Sequence, residues 1–433
     1  LPRKDGEETL QIKAADVPAM GYRTYVPLHP SSAENRKAPG PPSDTLENEF
    51  FRVRLDVKRG VIRSLVDKRS GKELVDQKSE YGFGQYLVER FDKNDHTRFL
   101  DSYCKSQPGW TEQFGRGNLP PASEMPYRAA SPQSFERTPF SASNAVESHL
   151  QVRAKASDGV PDAVSLDVML HHGQPFVDLH VFLSDRKSDP WPQASWLCLP
   201  FSVDEPSFRL GRPGSVIDPA KDIARSANFE MFCLDTGLTI TGRGGRGVGL
   251  CPVDSFLVSL GRPGGFRFTR EWSPRKPTVF VNLYNNIWGT NFREWTDEPI
   301  DCTVRIWSVE GKGTEADLIT PAWEARSPCR AAFFDGPAGK LPPVQTGLEL
   351  SRKGVLVTAF GPNPDGEGIL LRLWEQAGQD GPCKVTLPEG LRGHMARPCD
   401  LRGRPVEGTL ANRDGQLEVL LTHFAPTSIL LVK

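Results

Sequence analysis

The chain has 433 residues, 38% of them hydrophobic and 25% charged, ordinary globular usage with room for two or three cores. Its 53 Lys plus Arg offset 54 Asp plus Glu, and the formal net charge of -1 supplies no global field for nucleic acid or an anionic membrane. No run reaches the roughly 18 apolar residues of a membrane helix, and the opening LPRKDGEETL is polar where a signal peptide is apolar. The chain begins with Leu1 rather than Met, which raises the expectation of a fragment or processed chain with a further N-terminal part.

Taken in order, the predicted elements are almost all strands. After a short N-terminal piece, HPSSAENRKAPGPPSDTL (His29 to Leu46) is polar and proline-rich and reads as a linker or exposed loop. FFRVRLDV then alternates Phe51, Val53, Leu55 and Val57 with Arg52, Arg54 and Asp56, the period-2 pattern of a strand with one buried face. KRG turns it into VIRSLVDK and RSGKEL turns again, a meander. From RFDKNDH to FERTP the text is expected to be mostly loop, carrying Trp110, Phe114 and Tyr127 over something they cover. Strands resume at SHLQVRAKAS, VSLDVMLHH, FVDLHVFLSD, WLCLPFSV, LTITG, VGLCP, TVFVNLYNN and CTVRIWSVE. Beyond ARSPCRAAFFDGPAGKLPP, a second set (GVLVTAF, ILLRLWEQ, CKVTL, QLEVLLTHF, SILLVK) predicts a smaller sandwich. The expected class is all-β, with an N-terminal strand segment and Pro-rich linker over 1–44, a large antiparallel supersandwich over 45–324 and a C-terminal β-sandwich over 325–433. Forty glycines and 38 prolines agree, since many short strands need many turns.

Candidate chemistry is sparse. The eight cysteines are scattered, with no CxxC pair, which disfavours a zinc ribbon or small disulfide scaffold. GRGGRG (Gly242 to Gly247) matches a dinucleotide string, yet strand-like text follows it where a helix is required, so a hairpin turn is the better reading. Adjacent His171 and His172 would point to opposite faces of a strand; His172 and His180 could meet on neighbouring strands, but nothing supplies a clear third metal ligand. Glu294 and Asp297 are the first carboxylate pair to inspect for a glycosidase, whose two acids face each other about 5 to 9.5 Å apart. No G-x-S-x-G elbow is present.

The segment VNLYNNIWGTNFREW concentrates amides, indoles and an arginine. A tryptophan face stacks on the apolar side of a pyranose while amides and guanidinium meet its hydroxyls, and Asn285, Asn286, Trp288, Asn291, Arg293 and Trp295 form that set. Asn and Gly clusters between strands also build corners, with indoles filling the core, and the same corner could face another domain. All three readings stay open here.

VPAMGYRTY followed by LENEFFRVRLDVKRGVIRSLVDKRSGKELVD resembles the segment after the helical region of glycoside hydrolase family 38, the α-mannosidases. FVNLYNNIWGTNFREW is similar to part of the same β region in bacterial members, and GILLRLWEQ, ARPCDLRGRPVE and LEVLLTHFAPTSILLVK resemble its C-terminal sandwich. The resemblance runs from about Ala14 to the last residue. The first motif is long and fairly specific, and the last ones are weak singly but fall in order. It implies a large β domain similar to the supersandwich of galactose mutarotase-like proteins. It also implies that catalytic residues and zinc belong to an N-terminal α/β domain, whose His-x-Asp motif is absent: none of the eight histidines has Asp two positions on. The expectation is a noncatalytic region, with no catalytic residue, metal or cofactor of its own, partnering a catalytic domain of the same polypeptide and carbohydrate, mannose-containing glycans included. The alternatives are an independent carbohydrate-binding module and a self-sufficient mutarotase-like or polysaccharide lyase-like enzyme. Docking predicts an apolar patch near the N-terminus, binding an aromatic-lined groove, and catalysis a groove with His or Tyr beside a carboxylate.

Overall fold

The computed structural model describes residues 13–26, 43–104, 119–289, 293–334, 336–337 and 339–433. Trp110, Phe114 and Asn291 lie outside them. Two compact units are present, the larger comprising residues 37–212 and 217–312, the smaller residues 1–36, 213–216 and 313–433.

In the larger unit the meander forms as expected: β1 (Phe51–Asp56) pairs with β2 (Val61–Asp67), and Phe51, Val53 and Leu55 are buried while Arg54 is exposed. Two further antiparallel sheets follow from β3 (Gln85–Arg90), β4 (Glu147–Ala154), β5 (Ala163–His171), β6 (Phe176–Ser184), β7 (Gln193–Pro200), β8 (Ser207–Arg212), β9 (Leu238–Thr241), β10 (Gly247–Pro252), β11 (Leu257–Leu260), β12 (Thr278–Asn285) and β13 (Ile300–Val309). One contains the order β8-β9-β10-β13-β6-β5-β4, the other β11-β12-β7-β3. The inward positions of the first, such as Val152, Val168, Leu179, Leu250 and Val304, share one core with Leu197, Leu199, Val279 and Val281 of the second. The expected all-β class holds.

The glycine string behaves as a turn: Gly242 donates to the Arg246 carbonyl at 2.9 Å between β9 and β10. Gly244 and Gly245 take φ of 88° and 78°, where a side chain would be strained.

Strand β7 is buried along its whole length. Its outward residues Ala194, Trp196 and Cys198 enter a second cluster with Phe91, Phe99, Leu100, Phe266 and Phe280. Covering that face is a helix, α1 (Lys93–Cys104), in the text expected to be mostly loop. The physical reason is legible in retrospect. Asp92 Oδ1 accepts from the Asp95 N–H at 2.9 Å while Asp95 Oδ2 accepts from the Asp92 N–H at 3.2 Å, a reciprocal cap at the first turn. His96, Phe99, Leu100 and Tyr103 then recur at helical spacing, and His96, Phe99 and Leu100 are buried.

Asp178 and Glu230, two acids enclosed by this unit, each face cationic partners. Burial alone would raise the Asp178 carboxyl, but Arg305, whose Nε and Nη2 both donate at 2.8 Å, and His171 at 3.1 Å hold it below its ordinary value. His180 lies 2.6 Å from Asp301 and His172 3.4 Å from Ser148. Glu230, 2% exposed, is likewise pushed up by burial yet held low overall by Arg262, Thr269 and Arg275.

The smaller unit is a sandwich. β14 (Val355–Pro362), β15 (Ile369–Glu375), β17 (Met395–Cys399) and β19 (Pro426–Val432) form one sheet in the order β14-β15-β19-β17. β16 (Gly381–Thr386) and β18 (Gln416–Leu421) pair in the other, and Leu371, Leu373, Val385, Leu417, Val419 and Ile429 lie between them. Asp414 and Gly415, with φ of 53° and 83°, make a two-residue hairpin turn of the mirror-image type into β18. Glu375, fully buried, collects the Ala377, Gly378 and Phe424 N–H groups and the Arg352 guanidinium. Tyr22–Arg23 pairs with Val344–Gln345, so the N-terminal strand belongs to this unit. A short helical stretch also belongs to it, a π-helical turn over Glu315–Ile319 that runs directly into α2 (Thr320–Arg326), with Pro321 just past the junction.

Two measurements check this description. Cys233 and Cys329 are exposed, whereas Cys198, Cys251, Cys302 and Cys383 are buried, with burial and then the Asp254 charge pushing the Cys302 thiol up to about 12. A thiol alkylating reagent on native protein is expected to mark Cys233 and Cys329 and to reach the buried four only after unfolding, as read by peptide mass spectrometry. Glu230→Gln is expected to cost about 3 kcal/mol at pH 7, by leaving two arginines facing a neutral amide. Because the folded-state pKa of Glu230 lies below its ordinary 4.5, that difference should be complete above about pH 4.5 and shrink as pH falls through the folded value, measured by chemical denaturation.

Candidate functional site

The segment singled out by sequence begins at the end of β12 and is shaped by a bulge. Ser195 pairs with Tyr284 and Trp196 with Asn282, leaving Leu283 as the extra residue. Asn282 repairs the interrupted ladder: its amide donates to the Ser195 carbonyl at 3.1 Å and the Tyr284 carbonyl at 3.0 Å, and its Oδ1 accepts from Asn285 at 2.7 Å. Asn286 then extends the pairing through its side chain. Its Oδ1 accepts from the Gln193 N–H at 2.7 Å, and its Nδ2 donates to the carbonyls of Asp189, Trp191 and Glu294 at 3.2, 2.9 and 2.6 Å. One amide therefore ties the approach to β7 to the chain that returns after β12.

The two indoles part company. Trp288 is partly buried against Phe99 and Tyr103, ring centroids 6.0 and 5.9 Å away, in the aromatic layer under α1. Trp295 is 38% exposed and lines a cavity of about 160 Å³ with Asn285, Asn286 and Arg293. Four of the six residues grouped by sequence thus share one concavity, while Trp288 packs elsewhere and Asn291 falls outside the described residues.

Arg186, Lys187, Asp189, Gln193, Tyr284 and Thr296 complete the wall. Sequence reasoning passed over Arg186, Lys187, Asp189 and Gln193 because they come from the loop before β7 and its first residue, which only pairing brings beside the end of β12, whereas Tyr284 and Thr296 adjoin the grouped residues in the chain. A signal was available in RKSDPWPQ, where cations and an acid sit between a strand and a proline-bounded turn. Behind the wall, Asp162 is 1% exposed and receives the Arg186 Nε at 2.9 Å and the Tyr86 and Tyr284 hydroxyls. The Arg186 guanidinium lies 4.0 Å from the Tyr284 ring centroid. Burial first, then the Asp162 charge, pushes the Tyr284 phenol well above its ordinary value, so it stays protonated and is a poor general base. Asp189 is occupied by Arg90 at 3.0 Å and the Trp191 N–H at 2.9 Å. Asp297 is exposed, and neither it nor Glu294 lines the cavity.

What remains open to a ligand is the Trp295 indole, the Asn285 carbonyl oxygen, the cations Lys187 and Arg293, and the Gln193 amide. Gln193 is 6% exposed, and its side chain makes no hydrogen bond among the described residues although its backbone is fully paired. The volume is close to the about 150 Å³ that admits one six-membered ring. Asn286, by contrast, is spent on the chain itself. Asn286→Ala is expected to destabilise the larger unit by about 2 to 4 kcal/mol, since three carbonyls and one N–H lose their partner together; a thermal melt with an unchanged midpoint would contradict this role.

No protein-family model matches the sequence, and comparison with curated proteins finds no match. Solved structures do match. An α-mannosidase from Enterococcus faecalis V583 aligns with a TM-score of 0.62 at 12% identity, covering 90% of this chain and 42% of that one. A protein of glycosyl hydrolase family 38 from Enterococcus faecalis aligns with a TM-score of 0.60, again at 12% identity, over 90% of this chain and 44% of that one. A galactose mutarotase-like protein from Lactobacillus casei matches at 13% identity with a TM-score of 0.32, over 61% of this chain and 99% of that one. The chain spans less than half the length of the two mannosidase-family proteins and shares the fold of that part of them.

Proposed function

We propose that the chain is the noncatalytic β region of an α-mannosidase-like glycoside hydrolase, supporting a catalytic domain elsewhere on the same polypeptide and recognising carbohydrate in the cavity beside Trp295. The observation that carries this reading is the likeness in fold over 90% of the chain to two mannosidase-family proteins of more than twice its extent. The cavity adds to it: an exposed indole, open amides and cations around a space for one ring match the chemistry of a pyranose, whose faces are apolar and whose edge is hydroxyl. The same cavity supports the second reading, an independent carbohydrate-binding module, because it is built within the larger unit alone.

The test is calorimetric titration of the purified chain with mannose, galactose and oligosaccharides derived from them, with turnover and zinc content followed in the same samples. The expected result is saturable sugar binding that Trp295→Ala lowers at least ~10-fold, about 1.4 kcal/mol, with no mannoside hydrolysis and no stoichiometric zinc. Trp288→Ala should act on stability instead, through the aromatic layer. Robust hydrolysis by this chain alone would overturn the noncatalytic assignment, and absence of binding to any sugar would overturn recognition at the cavity.

A further inference from the structure

We propose that the saccharide taken by the cavity beside Trp295 carries an anionic group, a carboxylate or a phosphate, held between Lys187 and Arg293 with the Gln193 amide on its ring. This rests on the carbohydrate reading above and narrows it to a ligand class. Three cations and one carboxylate line the cavity. Arg186 is neutralised by buried Asp162, and its side chain is 6% exposed. Asp189 is neutralised by Arg90. Lys187 and Arg293 are both exposed, and neither makes an ion pair among the described residues. Among the described residues the wall therefore presents two uncompensated positive charges and no uncompensated negative one. A neutral pyranose uses donors and acceptors in equal measure. Here the donors predominate, and a guanidinium with a neighbouring ammonium suits an oxyanion.

Gln193 supplies the independent observation. The Gln193 residue is 6% exposed, lines the cavity and makes no side-chain hydrogen bond among the described residues, so its amide is open there to a ligand or to water. It sits at the first position of β7, held by the Asn286 clamp, so its backbone cannot move to find a partner. An amide donates and accepts, which fits a sugar hydroxyl. The two exposed cations do not need one. The site thus divides into a rigid ring subsite at Gln193, Asn285 and Trp295 and a cationic rim at Lys187 and Arg293.

The experiment is a set of titrations of the full chain at low ionic strength with D-mannose, D-glucuronate, mannose 6-phosphate and inorganic phosphate, read by calorimetry. The acidic sugars are expected to bind at least ~10-fold more tightly than mannose, a preference that added salt erodes. Lys187→Gln combined with Arg293→Gln should abolish the preference for the acidic sugars while leaving the melting temperature unchanged. Gln193→Met should weaken every sugar without lowering the melting temperature, since its amide makes no bond among the described residues. Equal affinity for mannose and the acidic sugars, or a preference that survives the double substitution, would overturn the anionic assignment while sparing the carbohydrate reading. Inorganic phosphate binding as tightly as mannose 6-phosphate would reduce the site to a simple anion site and overturn the proposal. No binding by any of the sugars would remove both readings.

Discussion

The larger unit depends on a strand with no wet face. From Gln193 to Pro200 every residue of β7 is buried, so both sides must be covered and both edges must find hydrogen bonds. One face is covered by the opposing sheet, the other by α1 and the Phe266 loop, and the two edges by β3 and β12. Wherever that pairing becomes irregular a side-chain amide completes it, Asn282 at the bulge and Asn286 where β12 ends. The cavity lies where this enclosure stops. Its inner wall is the first residue of the strand, and its outer wall is the loop that the Asn286 amide holds in place.

Enclosure also explains the pattern of charge. Glu89, beside Trp196, has burial pushing its carboxyl up and is met by the Tyr127 hydroxyl and the Trp196 indole N–H, both at 2.8 Å. Asp162 is met by two phenols and a guanidinium. Such groups are costly to leave unpaired and give a single arrangement once satisfied, which makes them suited to fixing the wall of a site rather than to doing chemistry in it. Tyr284 illustrates the point: it lines the cavity, yet its hydroxyl is turned to a buried carboxylate and its proton is held tightly.

Much of the fold was legible because local pattern and tertiary demand agree. The alternation in FFRVRLDV, the turn in RDGQ and the glycine string between β9 and β10 each follow from rules that act over a few residues. The helix α1 was hidden because its polar first turn, KNDH, directly follows a strand and its apolar stripe is short, ending at Tyr103. Its cap is carried by two aspartates three apart, a weaker signal than Ser with Glu. The site was half legible for a similar reason. Asn285, Asn286, Arg293 and Trp295 are close in sequence and stay close in space, whereas Arg186, Lys187, Asp189 and Gln193 arrive from a different strand.

By itself the sequence determined the all-β class, the succession of strands and the concentration of amide and indole chemistry after Tyr284, because period-2 burial and turn composition are properties of neighbouring residues. The fate of each side chain within that chemistry was decided by the tertiary structure alone. Trp288 and Trp295 stand seven residues apart, and nothing in their neighbours says which one fills an aromatic layer and which one meets solvent. Asn286 and Gln193 have the same functional group, and one is consumed by four backbone partners while the other's side chain has none among the described residues. Such differences arise from which distant strand lies opposite, a relation that pairing across the sheet creates and that no window along the chain contains.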